Sequence, residues 1–141
     1  MNMIMEQSLP PITVSSLDLE RIEELLDSVS FRRLAGRDAL QAELNRASVV
    51  DPEEVPADLV TMNSTVVVLD EDSNMQSELT LVYPNSAQPA NPVSVLAPVG
   101  SALLGLSVGQ SISWPLPGGR ALRLRVLDVK NQPEASGQYY R

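Results

Sequence analysis

The chain has 141 residues, no cysteine, no histidine and a formal charge of −8. That composition excludes a disulfide framework, a Cys/His zinc site, a cysteine nucleophile and any histidine-dependent triad. The acidity also disfavours unaided binding to a phosphate backbone, so no independent nucleic-acid binding is expected.

Charge is uneven along the chain. Residues 1–58 carry twelve acids and five arginines, whereas residues 59–141 carry six acids and five cations. The start, Met1 to Pro11, has neither a basic segment nor an apolar run of seven, so no signal peptide is expected. No stretch approaches 18 consecutive apolar residues, so no membrane span is expected, and the cytoplasm is the default compartment.

After an N-terminal tail over 1–14, Ser15 with Asp18 three residues later reads as a short capping box. Leu19, Ile22, Leu25 or Leu26, and Val29 recur at helical spacing. Gly36 marks a turn, and a second helix follows from Arg37 to Ser48, with Ala39, Leu40, Leu44 and Ala47 on one face. Two such helices predict an antiparallel hairpin over 15–50, each arm about 20 Å long at about 1.5 Å per residue. The acidic, proline-bearing stretch 51–58 reads as a linker.

Residues 59–141 change period. Val66–Leu69 and Leu79–Tyr83 read as paired strands around the acidic turn Asp70-Glu71-Asp72. Asn85–Pro92 reads as loop and Val93–Leu96 as a short strand. Pro98 opens a short helix that ends at Gly105. Ser111–Trp114 and Ala121–Val129 are the last strands, with Arg123 and Arg125 facing outward, and the tail beyond Lys130 reads as loose. The expected architecture is α+β: a small antiparallel sheet with one short helix on its face.

Few constellations carry chemistry. Asp70, Glu71 and Asp72 offer hard oxygen ligands but lack the spacing and glycine of a calcium loop, so a solvated turn is the simpler reading. Neither Gly100–Gly105 nor Gly118-Gly119 is followed by Lys-Ser or Lys-Thr, so no phosphate loop is present. Arg32, Arg33 and Arg37, flanked by Asp27 and Asp38, mark the hairpin tip as either a solvated turn or a contact patch. Leu96-Ala97-Pro98-Val99 is a proline-capped apolar edge suited to docking.

The segment from Ala97 to Gly119 resembles the C-terminal domain of the GreA/GreB transcript cleavage factors. Pro98, Ala102-Leu103-Leu104-Gly105 and Gly109 match the family pattern; Ala97 stands in place of its serine and Gln110 in place of its aspartate. Asp51-Pro52-Glu53-Glu54-Val55-Pro56, Val60-Thr61-Met62-Asn63-Ser64, Leu81-Val82-Tyr83-Pro84 and Gln132-Pro133-Glu134-Ala135 are similar to its branch of nucleoside diphosphate kinase regulators. The resemblance implies an FKBP-like domain over 59–141 and a shortened coiled coil over 15–50. It implies docking at the rim of the RNA polymerase secondary channel through Leu96, Ala97, Pro98 and Val99.

The family's cleavage factors carry a pair of tip acids on a much longer coiled coil. This tip offers Arg32, Arg33 and Arg37 beside Asp27 and Asp38, so binding without transcript cleavage is expected, with no cofactor and no metal. Direct binding to a nucleoside diphosphate kinase is the alternative. The FKBP-like fold raises prolyl isomerisation, but one Trp, one Phe and three Tyr are too few aromatics for that pocket class, so no enzyme is expected.

Overall fold

The computed structural model describes residues 9–28, 31, 36–84, 89–116 and 118–139. Ser15 caps the first helix as its sequence predicts. Its Oγ accepts from the Asp18 amide at 3.0 Å, and α1 runs Ser16–Asp27. Ile22 and Leu26 are buried, with Leu19 and Leu25 partly so, and Val29 lies outside the described residues. The second helix, α2, runs Arg37–Arg46 and buries Leu40 and Leu44. Gln41 reaches across to Glu23 at 3.4 Å.

Two short strands at the base of this arm have no clear signal in the sequence. β1, Thr13–Ser15, precedes α1, and β2, Ser48–Val50, follows α2; they pair in parallel. The Ser48 amide also donates to the Ile12 carbonyl at 3.0 Å. Glu43 is buried on α2, held by a two-pronged contact from Arg46 at 2.8 and 2.9 Å.

The main sheet contains β3 (Thr65–Asp70), β4 (Met75–Val82), β5 (Pro92–Ser94), β6 (Ser111–Pro115) and β7 (Ala121–Asn131), in the order β5-β4-β3-β7-β6. α3, Pro98–Leu103, lies between β5 and β6 in the chain. An all-antiparallel sheet was the expectation, and the sheet is mixed: β5 runs parallel to β4. The connection from Val82 to Pro92 is long enough to bring the chain back to Thr80, so that β5 pairs with the last three residues of β4. There the Thr80 amide donates to the Asn91 carbonyl, and at the other end Val95 donates to Val82. A three-residue strand carries no directional signal in its side chains, which is why orientation is not legible in the sequence.

One apolar cluster joins both parts. Ile22, Leu26, Leu40 and Leu44 from the arm belong to the same core as Met62, Leu81, Leu103, Leu104 and Val126. The expectation of a loose tail also needs correction at residues 132–134. Gln132 is buried, and its Nε2 donates to the carbonyls of Pro56 and Leu59 at 2.8 and 2.7 Å. The Pro56 carbonyl also accepts from the Leu59 amide at 3.2 Å, so the tail amide adds a second bond there and gives the Leu59 carbonyl a partner.

Gly105 sits where β1 crosses the sheet part. Its φ is +84°, its amide donates to Val60 at 2.9 Å, and its carbonyl accepts from Thr13 at 3.2 Å. An added Cβ would lie 2.9 Å from both the Ile12 Cβ and the Thr13 carbonyl oxygen. Gly109, with φ +93°, has nothing within 4 Å of such an atom. Gly109→Ala should therefore cost only the left-handed backbone penalty of about 1–2 kcal/mol. Gly105→Ala should cost about 2 kcal/mol more through overpacking. Urea unfolding of the two variants side by side checks the difference.

Candidate docking surface

The candidate docking edge begins where β5 ends. The Ser94 Oγ accepts from the Leu96 amide at 3.1 Å, and the Ser94 carbonyl accepts from the Ala97 amide at 3.0 Å. These bonds fold the chain into a tight turn. Pro98 then occupies the first turn of α3, where its missing N–H is no loss. The Ser101 amide donates to the Ala97 carbonyl at 2.8 Å, and the Ser101 hydroxyl donates to the Val95 carbonyl at 2.7 Å. A Cβ on Gly100 would fall on the Ser94 carbonyl oxygen, so only glycine lets α3 sit this close to the end of β5. Leu96, Ala97 and Val99 are half-buried, and Pro98 is exposed.

Two hollows flank this turn. The larger, about 560 Å³, is open and is lined by Val68, Leu79, Val93, Val99, Leu122 and Leu124, with Asp70 and Glu78 among its polar residues. The smaller, about 130 Å³, lies between the arm and the turn and is lined by Gly36, Ala39, Leu96, Pro98, Trp114 and Pro115, with Ser101.

The tip residues divide. Arg32 and Arg33 lie outside the described residues. The Arg37 Nε donates to the Leu26 carbonyl at 3.1 Å, closing the C-terminal end of α1. Its guanidinium also pairs with Asp27 at 3.8 Å and Asp38 at 3.4 Å. Both carboxylate side chains are widely exposed, at 85 % and 101 %, whereas that of Arg37 is 22 % exposed. Arg37 is thus tied into the arm, and the two aspartates face solvent.

The acidic turn is a solvated and ion-paired turn. Asp70 Oδ1 accepts from the amides of Asp72 and Ser73, Glu71 pairs with Arg125 at 3.0 Å, and Asp72 pairs with Arg123 at 3.2 Å. Among the described residues, no group of three or more acidic side chains is placed to hold a metal ion.

A buried polar cluster escaped the sequence reading. Asp18 looks like a helix-capping acid, and its amide does cap, but its carboxylate points into the protein. Oδ2 accepts from the Met62 amide at 3.1 Å and Oδ1 from the Tyr83 hydroxyl at 3.3 Å. Beside it, the Thr61 hydroxyl donates to Glu134 at 2.8 Å, and the Ser64 Oγ accepts from the Thr61 amide at 3.0 Å. Burial pushes the Asp18 carboxyl up to about 6 and Glu134 adds to the rise, against the Met62 amide, the Tyr83 hydroxyl and Arg21. Burial, followed by the Asp18 charge, pushes the Tyr83 phenol well above its usual range. The one available signal was an acid at the third helical position beside the Met62-Asn63-Ser64 turn, where Asn63 takes a φ of 68°. Neither hollow has Asp18, Tyr83 or Glu134 among its described lining residues.

Residues 55–131 match the GreA/GreB transcription elongation factor C-terminal family, and residues 10–50 match the Rnk N-terminus family. The chain is 50 % identical over 133 residues to the regulator of nucleoside diphosphate kinase of Escherichia coli (strain K12), which covers 94 % of this chain and 98 % of that protein. It is 39 % identical over 92 residues to the transcription elongation factor GreA of Caldanaerobacter subterraneus subsp. tengcongensis, over 64 % of this chain and 58 % of that one. A solved GreA/GreB elongation factor from Nitrosomonas europaea shares 53 % identity and superposes with a TM-score of 0.66, covering 86 % of this chain and 99 % of that one. This chain therefore belongs to the GreA/GreB transcription elongation factor family, and its relatives are regulators and transcription factors. Among the described residues, no helix is long and apolar enough to cross a membrane.

The Asp18 geometry makes a pH-dependent stability term. A carboxyl with a higher pKa in the folded state favours folding when protonated. That advantage is full below the ordinary value of 3.8 and is lost as pH rises through about 6. The loss is on the order of 3 kcal/mol at neutral pH. Asp18→Asn keeps an acceptor for Met62 without the charge. Its stability relative to the native chain should rise between pH 4 and pH 7.5. Asp18→Leu leaves the Met62 amide and the Tyr83 hydroxyl without this acceptor, so it should lie about 3 kcal/mol below Asp18→Asn at both pH values. Urea titrations at both pH values separate the two cases.

Proposed function

We propose that this member of the GreA/GreB family is an RNA polymerase-binding transcription regulator. It docks at the rim of the secondary channel through Leu96, Ala97, Pro98 and Val99. One observation carries the reading: Pro98 stands exposed on a turn locked by Ser94 and Gly100, at the position matching the family's docking segment.

The arm supports the rest of the proposal. α1 has 12 residues and α2 has 10, so the helices extend about 18 and 15 Å. An arm of that length, read as a short coiled coil, stays near the rim. Its exposed aspartates flank Arg37, which offsets part of their charge. Binding without stimulation of transcript cleavage follows, together with competition against Gre-type factors for a shared site. Any effect on nucleoside diphosphate kinase levels is then indirect, through transcription. Residues 59–141 serve as the docking domain, FKBP-like in this reading, and 51–58 as the link to the arm. Direct binding to the kinase is the second reading, favoured by the name of the Escherichia coli relative.

The test is retention on immobilised core RNA polymerase, comparing the native chain with a Leu96→Ala, Pro98→Ala double variant of native unfolding behaviour. The native chain should be retained, displace a cleavage factor and leave stalled transcripts uncut. The double variant should lose roughly tenfold or more in affinity. Full retention of the double variant overturns the docking assignment. Absence of native binding to polymerase, with retention on nucleoside diphosphate kinase, establishes the alternative.

A further inference from the structure

We propose that β6 is an open sheet edge through which two copies of this chain pair, antiparallel and centred on Ser113. The inference is independent of the polymerase reading above.

The alternation of the β6–β7 ladder fixes which backbone groups face outward. The Val126 amide donates to the Gln110 carbonyl at 3.1 Å, and the Leu116 amide donates to the Arg120 carbonyl at 2.8 Å. Between them, Ile112 stands opposite Leu124 and Trp114 opposite Leu122. In an antiparallel pair every second residue is the bonded one, so Gln110, Ile112, Trp114 and Leu116 point their backbone groups at β7. Ser111, Ser113 and Pro115 point theirs away from it. β6 ends the sheet, and among the described residues no backbone group meets theirs on that side. Ser113 and Pro115 are exposed, and Ser111 is half-buried.

The two edges of the sheet differ. An open edge is a template for another strand, and proteins blunt it with proline, charge, shortness or cover. The β5 edge is blunted: the strand has three residues, Pro92 has no amide hydrogen, and the Ser94 carbonyl already accepts from the Ala97 amide. β6 has five residues, carries no charged side chain and reaches a proline only at the last of them.

The order of donors and acceptors along β6 matches itself. The two-fold register that aligns all five residues sets Ser113 against Ser113 of the second copy, each amide donating to the other's carbonyl. Ser111 then faces Pro115 of the second copy, and its amide donates to the proline carbonyl. The missing proline hydrogen leaves only the Ser111 carbonyl to water at the rim. Ile112 lies opposite Trp114 of the second copy, apolar against apolar. Arg123 pairs with Asp72 at 3.2 Å and Arg125 with Glu71 at 3.0 Å within one chain, so the strand beside the seam is locally neutral. A partner selected by charge finds none on β6, whereas a second copy needs none. At longer range each copy carries −8, so the two repel, and salt strengthens the pairing by screening.

Analytical ultracentrifugation of the full chain from about 1 µM to about 1 mM tests the inference. The native chain should pass from monomer to dimer within that range, and at lower concentration in high salt. The Ser111 and Ser113 amides should gain protection from hydrogen exchange as the dimer forms. Ser113→Pro removes an outward amide that β7 does not use, and should weaken the dimer roughly tenfold or more. Ser113→Lys sets like charges opposite each other at an exposed position, and decides the matter if Ser113→Pro does not fold. A native chain that stays monomeric throughout overturns the inference. So does a dimer that the folded variants leave unchanged, since the contact then lies elsewhere. Protection of Ser111 and Ser113 only when core RNA polymerase is added gives the edge to a strand of that partner and also overturns self-pairing.

Discussion

The Asp18 carboxylate joins the helical arm to the sheet part through directional bonds. It leaves α1 at the first turn and accepts from the Met62 amide and the Tyr83 hydroxyl, two groups beyond the arm. Apolar burial between Ile22, Leu26 and the shared core supplies most of the driving force, but that force has no preferred direction. Hydrogen bonds to a fixed backbone amide do have one. The ionised group is costly to bury, as its raised pKa records, and it fixes how α1 enters the core.

The placement of the arm determines what surrounds the docking turn. With α1 held at its base, and Arg37 closing its far end onto the Leu26 carbonyl, α2 brings Gly36 and Ala39 beside Leu96 and Pro98. The turn itself is shaped from the other side. Ser94 accepts twice, Ser101 donates to Val95, and Gly100 permits the close approach of α3.

The tail and the arm base show a second use of side-chain polarity. Gln132 satisfies the carbonyls of Pro56 and Leu59, and Glu134 accepts from Thr61. Arg46 satisfies Glu43 and also donates to the Pro10 carbonyl. Segments that look like linker or tail in composition are thereby anchored, because irregular backbone needs partners wherever it is buried.

The residue pattern by itself determined the element types. Ser15 marked the start of α1, helical spacing marked Ile22, Leu26, Leu40 and Leu44 as buried, and Pro98 marked the start of α3. The alternation around Arg123 and Arg125 identified an outward face, and the family was legible from Ala97 to Gly119. These signals are local, set by period, capping and turn chemistry within a few residues. Tertiary structure decided the parallel pairing of β5 with β4, the β1–β2 ladder, the inward turn of Asp18 and the docking of Gln132. It also decided that Ala39 and Pro98 share a crevice. Each of these depends on which distant backbone groups lack partners once the core has closed. Local periodicity carries no record of partners 12 to 76 residues away.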